Sequence, residues 1–115
     1  LISFKVSGSG KAAGFSGLCN LNVRNSLCFT GLFGSFNNTF PTYSRDVKVL
    51  AHEMGHLLGS RHTHACVWNG RNTAIDGCHA PEGNCARPEL PVAGTIMSYC
   101  DTAGVRPVDF TLGFG

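Results

Sequence analysis

The sequence predicts an α+β domain in which a small twisted β-sheet packs on one helix and a loop-rich, disulfide-stapled segment follows. Three observations support this fold class. Alternating apolar residues at the start of the chain favour a strand, and apolar residues at three-to-four spacing favour a helix over residues 41–59. Residues 62–94 show neither the strand nor the helix periodicity. At 115 residues, the chain is expected to form one domain, 1–115.

The first strand is expected near the start of the chain, where Ile2, Phe4 and Val6 share one face. Residues 8–38 are rich in Gly, Ser and Asn between short apolar runs. This pattern is typical of short strands separated by turns. The sheet is therefore expected to come from the chain before the helix.

The helix is predicted over residues 41–59. Thr42 or Ser44 can cap it, and Asp46 suits the positive end of the helix dipole. One apolar face is expected to pack inward, and it consists of Val47, Leu50, Ala51, Met54, Leu57 and Leu58.

The same helix carries the pattern H-E-x-x-H-x-x-G-x-x-H from His52 to His62. His52 and His56 are one helical turn apart, about 6 Å, so both imidazoles can reach one metal ion. Gly59 can take a positive φ that ends the helix and lets His62 supply a third nitrogen. Glu53 then projects beside the fourth, open position. Three protein ligands with one open position are typical of a catalytic zinc site.

A later segment, Thr95 to Tyr99, resembles the Met-turn that metzincin proteases place beneath the zinc, with Met97 as its methionine. Together with the zinc motif, it makes residues 45–100 resemble the metzincin clan, and the reprolysin (adamalysin) type in particular. Thr63 stands where adamalysins usually have Asp. The tyrosine after the Met-turn is a feature of astacins and serralysins.

The resemblance implies a secreted metzincin endopeptidase with one catalytic zinc ion. His52, His56 and His62 would bind the zinc, and Glu53 would act as general base on the zinc-bound water that attacks the peptide bond. Tyr99 would either donate a hydrogen bond to the oxyanion or serve as a half-buried aromatic. A non-catalytic binding module and a disulfide- or zinc-stabilised structural domain are the alternatives.

In similar proteases, a strand in the position of residues 8–38 forms the sheet edge above the cleft. Such an edge can bind a protein or peptide substrate in extended form. An exposed loop fits these residues equally well. Similar domains also have further N-terminal strands, a long helix and a closing C-terminal helix, so a trimmed domain is expected.

Six cysteines in so short a chain favour disulfides and an oxidising compartment, in agreement with secretion. A cysteine-rich zinc site is the competing interpretation, but the chain has no C-x-x-C pair. Proximity along the chain predicts three pairs, which are Cys19 with Cys28, Cys78 with Cys85, and Cys66 with Cys100.

The composition excludes some functions. A net charge of +2 without a run of like charges argues against a nucleic-acid surface. No apolar stretch is long enough for a membrane span. The oligomeric state is left open.

Two further groups of polar residues follow the zinc motif. His64 and His79 are expected to be loop histidines, since neither lies at ligand spacing from a partner. Calcium remains open as a second cofactor, although its candidate ligands form no EF-hand pattern. These candidates are Asp76, Glu82, Asn84 and Asp101.

Overall fold

The computed structural model describes residues 2–3, 9–34, 36–40 and 42–115. The chain divides into two compact units, Leu1–Ser60 and Arg61–Gly115. Within the part of the chain described, no helix combines the length and the apolar character that crossing a bilayer would need.

The first unit is an α+β arrangement, as predicted. Its described elements are strands β1 (Ile2–Ser3), β2 (Gly10–Ala12) and β3 (Cys28–Gly31), the 3₁₀ helix Val23–Ser26 and helix α1 (Arg45–Leu57).

The described strands form a three-stranded sheet in the order β1-β3-β2. Strand β1 runs parallel to β3, with Ile2 opposite Thr30, and β2 runs antiparallel to β3, with Lys11 opposite Phe29. Strand β2 therefore lies at an edge of this sheet. The rest of the predicted first strand, residues 4–7, lies outside the described residues.

Helix α1 begins close to the predicted position, but its first turn is not stabilised by the predicted side-chain cap. Ser44 is the N-cap residue, yet its side chain makes no capping hydrogen bond. Asp46 is 2% exposed, and its carboxylate accepts from the backbone N–H groups of Phe33 and Gly34, both at 2.9 Å. Because two donors satisfy this buried carboxylate, Asp46 anchors the start of the helix to the chain after β3.

The end of α1 is a Schellman motif. The N–H of Ser60 donates to the carbonyl of Gly55, and the N–H of Gly59 donates to the carbonyl of His56, both at 2.9 Å. Gly59 has a φ of +102°, as the sequence predicts. A Cβ at this position would also lie 2.7 Å from Oγ of Ser16. Only glycine therefore fits this helix end without strain.

The prediction of which side of α1 packs inward is correct for Leu57 but wrong for Met54 and Leu58. Met54 and Leu58 are 50% and 62% exposed. The N–H groups of Ser16 and Leu18 donate to the last helical carbonyls at 3.0 Å, so the chain after β2 covers the side bearing the zinc motif. The buried side comprises Asp46, Lys48, Val49, His52, Glu53, Gly55, His56 and Leu57.

The second unit consists mainly of turns and loops and contains the 3₁₀ helix Phe110–Leu112. Its disulfides differ from the predicted set, and Cys19 of the first unit is not joined to Cys28. Chain proximity is a poor guide here because the loop folds back on itself. The two disulfides formed by the described residues are Cys66–Cys85 and Cys78–Cys100, with sequence separations of 19 and 22.

The core of the second unit mixes apolar and polar side chains. Met97 and Cys100 are fully buried, and so is Thr63, the residue that follows the zinc motif. The hydroxyl of Thr63 donates to one carboxylate oxygen of Asp76, and the other oxygen accepts from the N–H of Cys78 at 3.0 Å. These hydrogen bonds offset the cost of burying a carboxylate. The carboxylate that accepts the hydrogen bond of Thr63 is thus supplied by a later loop.

Candidate metal centre

The two helical histidines lie next to each other on the buried side of α1. The ring centroids of His52 and His56 are 4.8 Å apart, and the residues are 4% and 7% exposed. This proximity follows from their four-residue spacing on a helix. Both rings are therefore available to one ion at the same side of the helix.

The proton on the His56 ring is fixed by the end of the helix. Nδ1 of His56 lies 2.8 Å from the carbonyl oxygen of Ser60. Since a carbonyl oxygen can only accept, Nδ1 carries the hydrogen and Nε2 keeps its lone pair. Phe15 packs edge-on against the same ring, with centroids 5.1 Å apart. The Schellman turn thus leaves the nitrogen that a metal needs.

His62 has the same tautomer for a different reason. Its Nδ1 lies 2.7 Å from Oε1 of Glu82. Partial burial would raise the pKa of Glu82, but its hydrogen bonds and electrostatic interactions with His62 and His64 outweigh that effect and hold the pKa below its usual value. The carboxylate is therefore ionised at neutral pH and accepts the Nδ1 hydrogen, which leaves Nε2 of His62 with its lone pair.

The three histidines of the motif form one group. His52, His56 and His62 each offer one ring nitrogen as a possible metal ligand. Imidazole nitrogens are preferred zinc ligands, and three of them leave a coordination position for water. The donor set and its tautomers therefore fit a zinc ion.

Glu53 is buried beside this group. Burial raises its pKa, and this effect exceeds the lowering by the backbone hydrogen bond from Ala12 and by the charge of Lys48. A Cβ placed on Gly10 would lie 2.5 Å from Oε1 of Glu53, so β2 passes directly over the carboxylate. A carboxyl group with a raised pKa is suited to exchanging a proton near neutral pH.

The turn at Met97 is present in the second unit. The N–H of Ser98 donates to the carbonyl of Thr95 at 3.2 Å, and Met97 is fully buried. The carbonyl of Met97 accepts from the N–H of Thr63 at 3.5 Å. The residue after the third histidine is thus tied to this turn.

Tyr99 packs among three histidines of the second unit. Its ring centroid lies 4.5 Å from that of His62, 4.8 Å from His64 and 5.5 Å from His79. His64 is fully buried, and burial lowers its pKa although the charge of Glu82 opposes this. His64 is therefore a neutral, buried histidine that lies in a turn.

The carboxylates considered for calcium have other partners. Asp76 is bound to Thr63 and Cys78, and Glu82 is bound to His62. Asp76 also lies near Cys78 and Cys100, but those two thiols form a disulfide and cannot act as thiolate ligands.

Glu82 is the residue of the site that sequence reasoning missed as a partner of His62. It lies 20 residues after His62 in a segment without periodicity. The pairing of Cys66 with Cys85 would have brought this segment close to the motif. A single sequence does not reveal that pairing.

Two helical histidines, a third with the same tautomer and a buried acid are the groups that a metallopeptidase motif requires. A reprolysin family model described as "Metallo-peptidase family M12" matches residues 1–108. The chain therefore belongs to metallo-peptidase family M12 as a reprolysin-like metzincin, and the family resemblance noted in its motifs is confirmed. Neither the curated proteins nor the solved structures include a match to this chain.

Proposed function

We propose that this chain is a secreted zinc endopeptidase in which His52, His56 and His62 bind the metal and Glu53 is the general base. Membership of family M12 and the three-histidine group support the proposal. When bound, zinc would lower the pKa of a coordinated water and polarise the carbonyl of the scissile peptide bond. The disulfides, which are typical of oxidising compartments, support secretion.

The observation that carries the proposal is the buried Glu53 next to the histidine pair. A general base must take a proton from the attacking water, and as an acid it must return that proton to the leaving amine. Burial under β2 raises the pKa of Glu53 toward the range in which both steps are efficient. The hydrogen bond from the N–H of Ala12 and the charge of Lys48 oppose this rise.

The proposed substrate is a protein or peptide bound in extended form. Strand β2 is an edge of the described sheet and passes over Glu53 at Gly10. An extended peptide can add to such an edge through backbone hydrogen bonds. A substrate bound there would run past Glu53, the proposed base.

The test compares the wild-type protein with Glu53→Ala and with Glu89→Ala, an exposed glutamate that serves as control. Zinc content and cleavage of an unstructured protein substrate are measured with and without a chelator. We expect zinc in all three proteins and loss of cleavage by the wild type after chelation. We also expect kcat of Glu53→Ala to fall by about a hundredfold or more because proton transfer is lost.

The contrary outcomes differ from one another. Loss of zinc from Glu53→Ala would show that Glu53 is misassigned. A wild-type protein that binds zinc without cleaving any substrate would favour a binding module. A folded wild-type protein that takes up no zinc would favour a disulfide-stabilised structural domain.

A further inference from the structure

We infer that Glu82 is a positioning residue for the metal centre, because its carboxylate fixes the tautomer and the orientation of the His62 ring. The inference rests on the proposed function, since it concerns a histidine proposed to bind zinc. Glu82 lies outside the H-E-x-x-H motif, 20 residues after His62.

The hydrogen bond between the two residues is short and charge-assisted. Nδ1 of His62 lies 2.7 Å from Oε1 of Glu82, which is within the range for an N–H donor and a carboxylate. His56 makes the corresponding bond at 2.8 Å, but to the neutral carbonyl of Ser60. A carboxylate partner also makes the imidazole more basic, so the Nε2 of His62 becomes the better metal ligand.

The backbone of Glu82 is fixed on both sides. Its N–H donates to the carbonyl of His64 at 2.9 Å, and its carbonyl accepts from the N–H of Cys66 at 3.0 Å. The disulfide between Cys66 and Cys85 closes the same loop. Although the side chain of Glu82 is 46% exposed, its anchored backbone holds the carboxylate at His62.

The ring of His62 is also held by packing. It stacks on the ring of His64, with centroids 4.9 Å apart and an interplanar angle of 8°, and Tyr99 contacts it at 4.5 Å. Nε2 of His64 approaches the same Oε1 of Glu82, but at the longer distance of 3.2 Å. The shorter bond of Glu82 is therefore the one to His62.

A second metal site would be the other use of this cluster, since candidate ligand atoms of His62, His64 and Glu82 lie within 4.8 Å of one another. However, Nδ1 of His62 and Nε2 of His64 both approach the same Oε1 of Glu82, at 2.7 and 3.2 Å. The 2.7 Å contact is moreover a hydrogen-bond distance. The geometry thus favours a positioning role.

The experiment uses Glu82→Ala, which removes the acceptor, and Glu82→Gln, which keeps an oxygen without the charge. Glu89→Gln in the same unit is the matched control, because it removes one charge from an exposed glutamate. Zinc affinity is measured by competition with a chelator. Nitrogen chemical shifts of the metal-free proteins report the His62 tautomer, and thermal unfolding reports any general loss of stability.

We expect Glu82→Ala to weaken zinc binding by about ten- to a hundredfold, Glu82→Gln to weaken it less, and Glu89→Gln to leave it unchanged. In the metal-free wild type, His62 should carry its hydrogen on Nδ1, and Glu82→Ala should shift it toward a mixture of tautomers. A purely structural role would lower the unfolding temperature without changing the tautomer.

Wild-type zinc affinity in both Glu82 variants would overturn the inference and leave the proposed function intact. A wild-type protein that binds no zinc would instead refute the proposed function. If Glu82→Ala does not fold, the inference can still be tested with Glu82→Gln and with the His62 tautomer of the wild type. A hydrogen on Nε2 of His62 in the metal-free wild type would contradict the inference.

Discussion

The two units of the chain fix their proposed zinc ligands in different ways. In the first unit, a helix and its Schellman turn set the positions of His52 and His56. In the second unit, His62 depends on a glutamate 20 residues away and on a disulfide-closed loop. The comparison teaches that a histidine ring can be held either by local backbone geometry or by contacts between distant parts of the chain.

The hydrogen bonds of the two rings show this difference most directly. His56 donates to a carbonyl four residues away, whereas His62 donates to the side chain of Glu82. Both bonds leave Nε2 for a metal. The first bond forms with the helix end, and the second requires the later loop to fold back.

The largest effect is expected from Tyr99→Phe, which asks whether the second unit supplies a catalytic group as well as a ligand. Phenylalanine keeps the ring packing on His62 and His64 and removes only the hydroxyl. If the phenol donates to the oxyanion, kcat should fall by about a hundred- to a thousandfold, with little change in KM or zinc content. Steady-state kinetics and metal analysis measure these quantities.

A Tyr99→Phe enzyme with near-normal kcat would assign Tyr99 a packing role. Tyr43→Phe is a suitable control, because Tyr43 lies in the first unit and precedes the helix. It should leave kcat unchanged.

Removing one disulfide tests whether the second unit depends on its crosslinks. Replacing both Cys78 and Cys100 by serine should lower the free energy of unfolding by about 3 kcal/mol in the chain-entropy picture. Hydrogen exchange should show the larger loss of protection in residues 61–115, because helix α1 has its own backbone hydrogen bonds. Denaturant unfolding measures the loss of stability, and hydrogen exchange shows which residues lose protection.

The control for this variant is Cys19→Ser, because Cys19 is exposed and is not part of a disulfide. It should leave the unfolding free energy within about 0.5 kcal/mol of the wild type. Equal protection losses in α1 and in residues 61–115 would contradict the distinction between the units.

The smallest effect is expected in the first unit, from Gly10→Ala. The added methyl group would collide with the side chain of Glu53, so we expect a loss of about 1 to 3 kcal/mol of stability. Cleavage should also decrease, because Glu53 must move. Gly14→Ala is the matched control, since a Cβ there meets nothing within 4 Å. Similar unfolding curves and cleavage rates for the two variants would show that β2 does not pack closely against Glu53.

Local features of the fold could be predicted from the sequence. The helix expected over residues 41–59 is observed as Arg45–Leu57, and Gly59 has the positive φ that its place after the helix requires. Such features depend on neighbouring residues alone. The inward side of α1 was predicted only in part, since Leu57 is buried but Met54 and Leu58 are exposed. Periodicity shows which residues share a side, but not which side meets the rest of the chain.

Contacts between distant residues could not be predicted. The ligand spacing of His52, His56 and His62 is visible in the motif, whereas nothing in the sequence links Glu82 to His62. The disulfide pairs were missed for the same reason. Six cysteines allow many pairings, and the selection depends on how the loop folds back.

The Cys66–Cys85 disulfide has a consequence for when the protein becomes active. Its loop anchors Glu82, and Glu82 in turn holds His62. In a reducing cytosol, a newly made chain would lack this crosslink and would bind zinc weakly. Under the proposed secretion and peptidase activity, oxidation after export would complete the proposed metal centre, and the enzyme would stay inactive inside the cell that makes it.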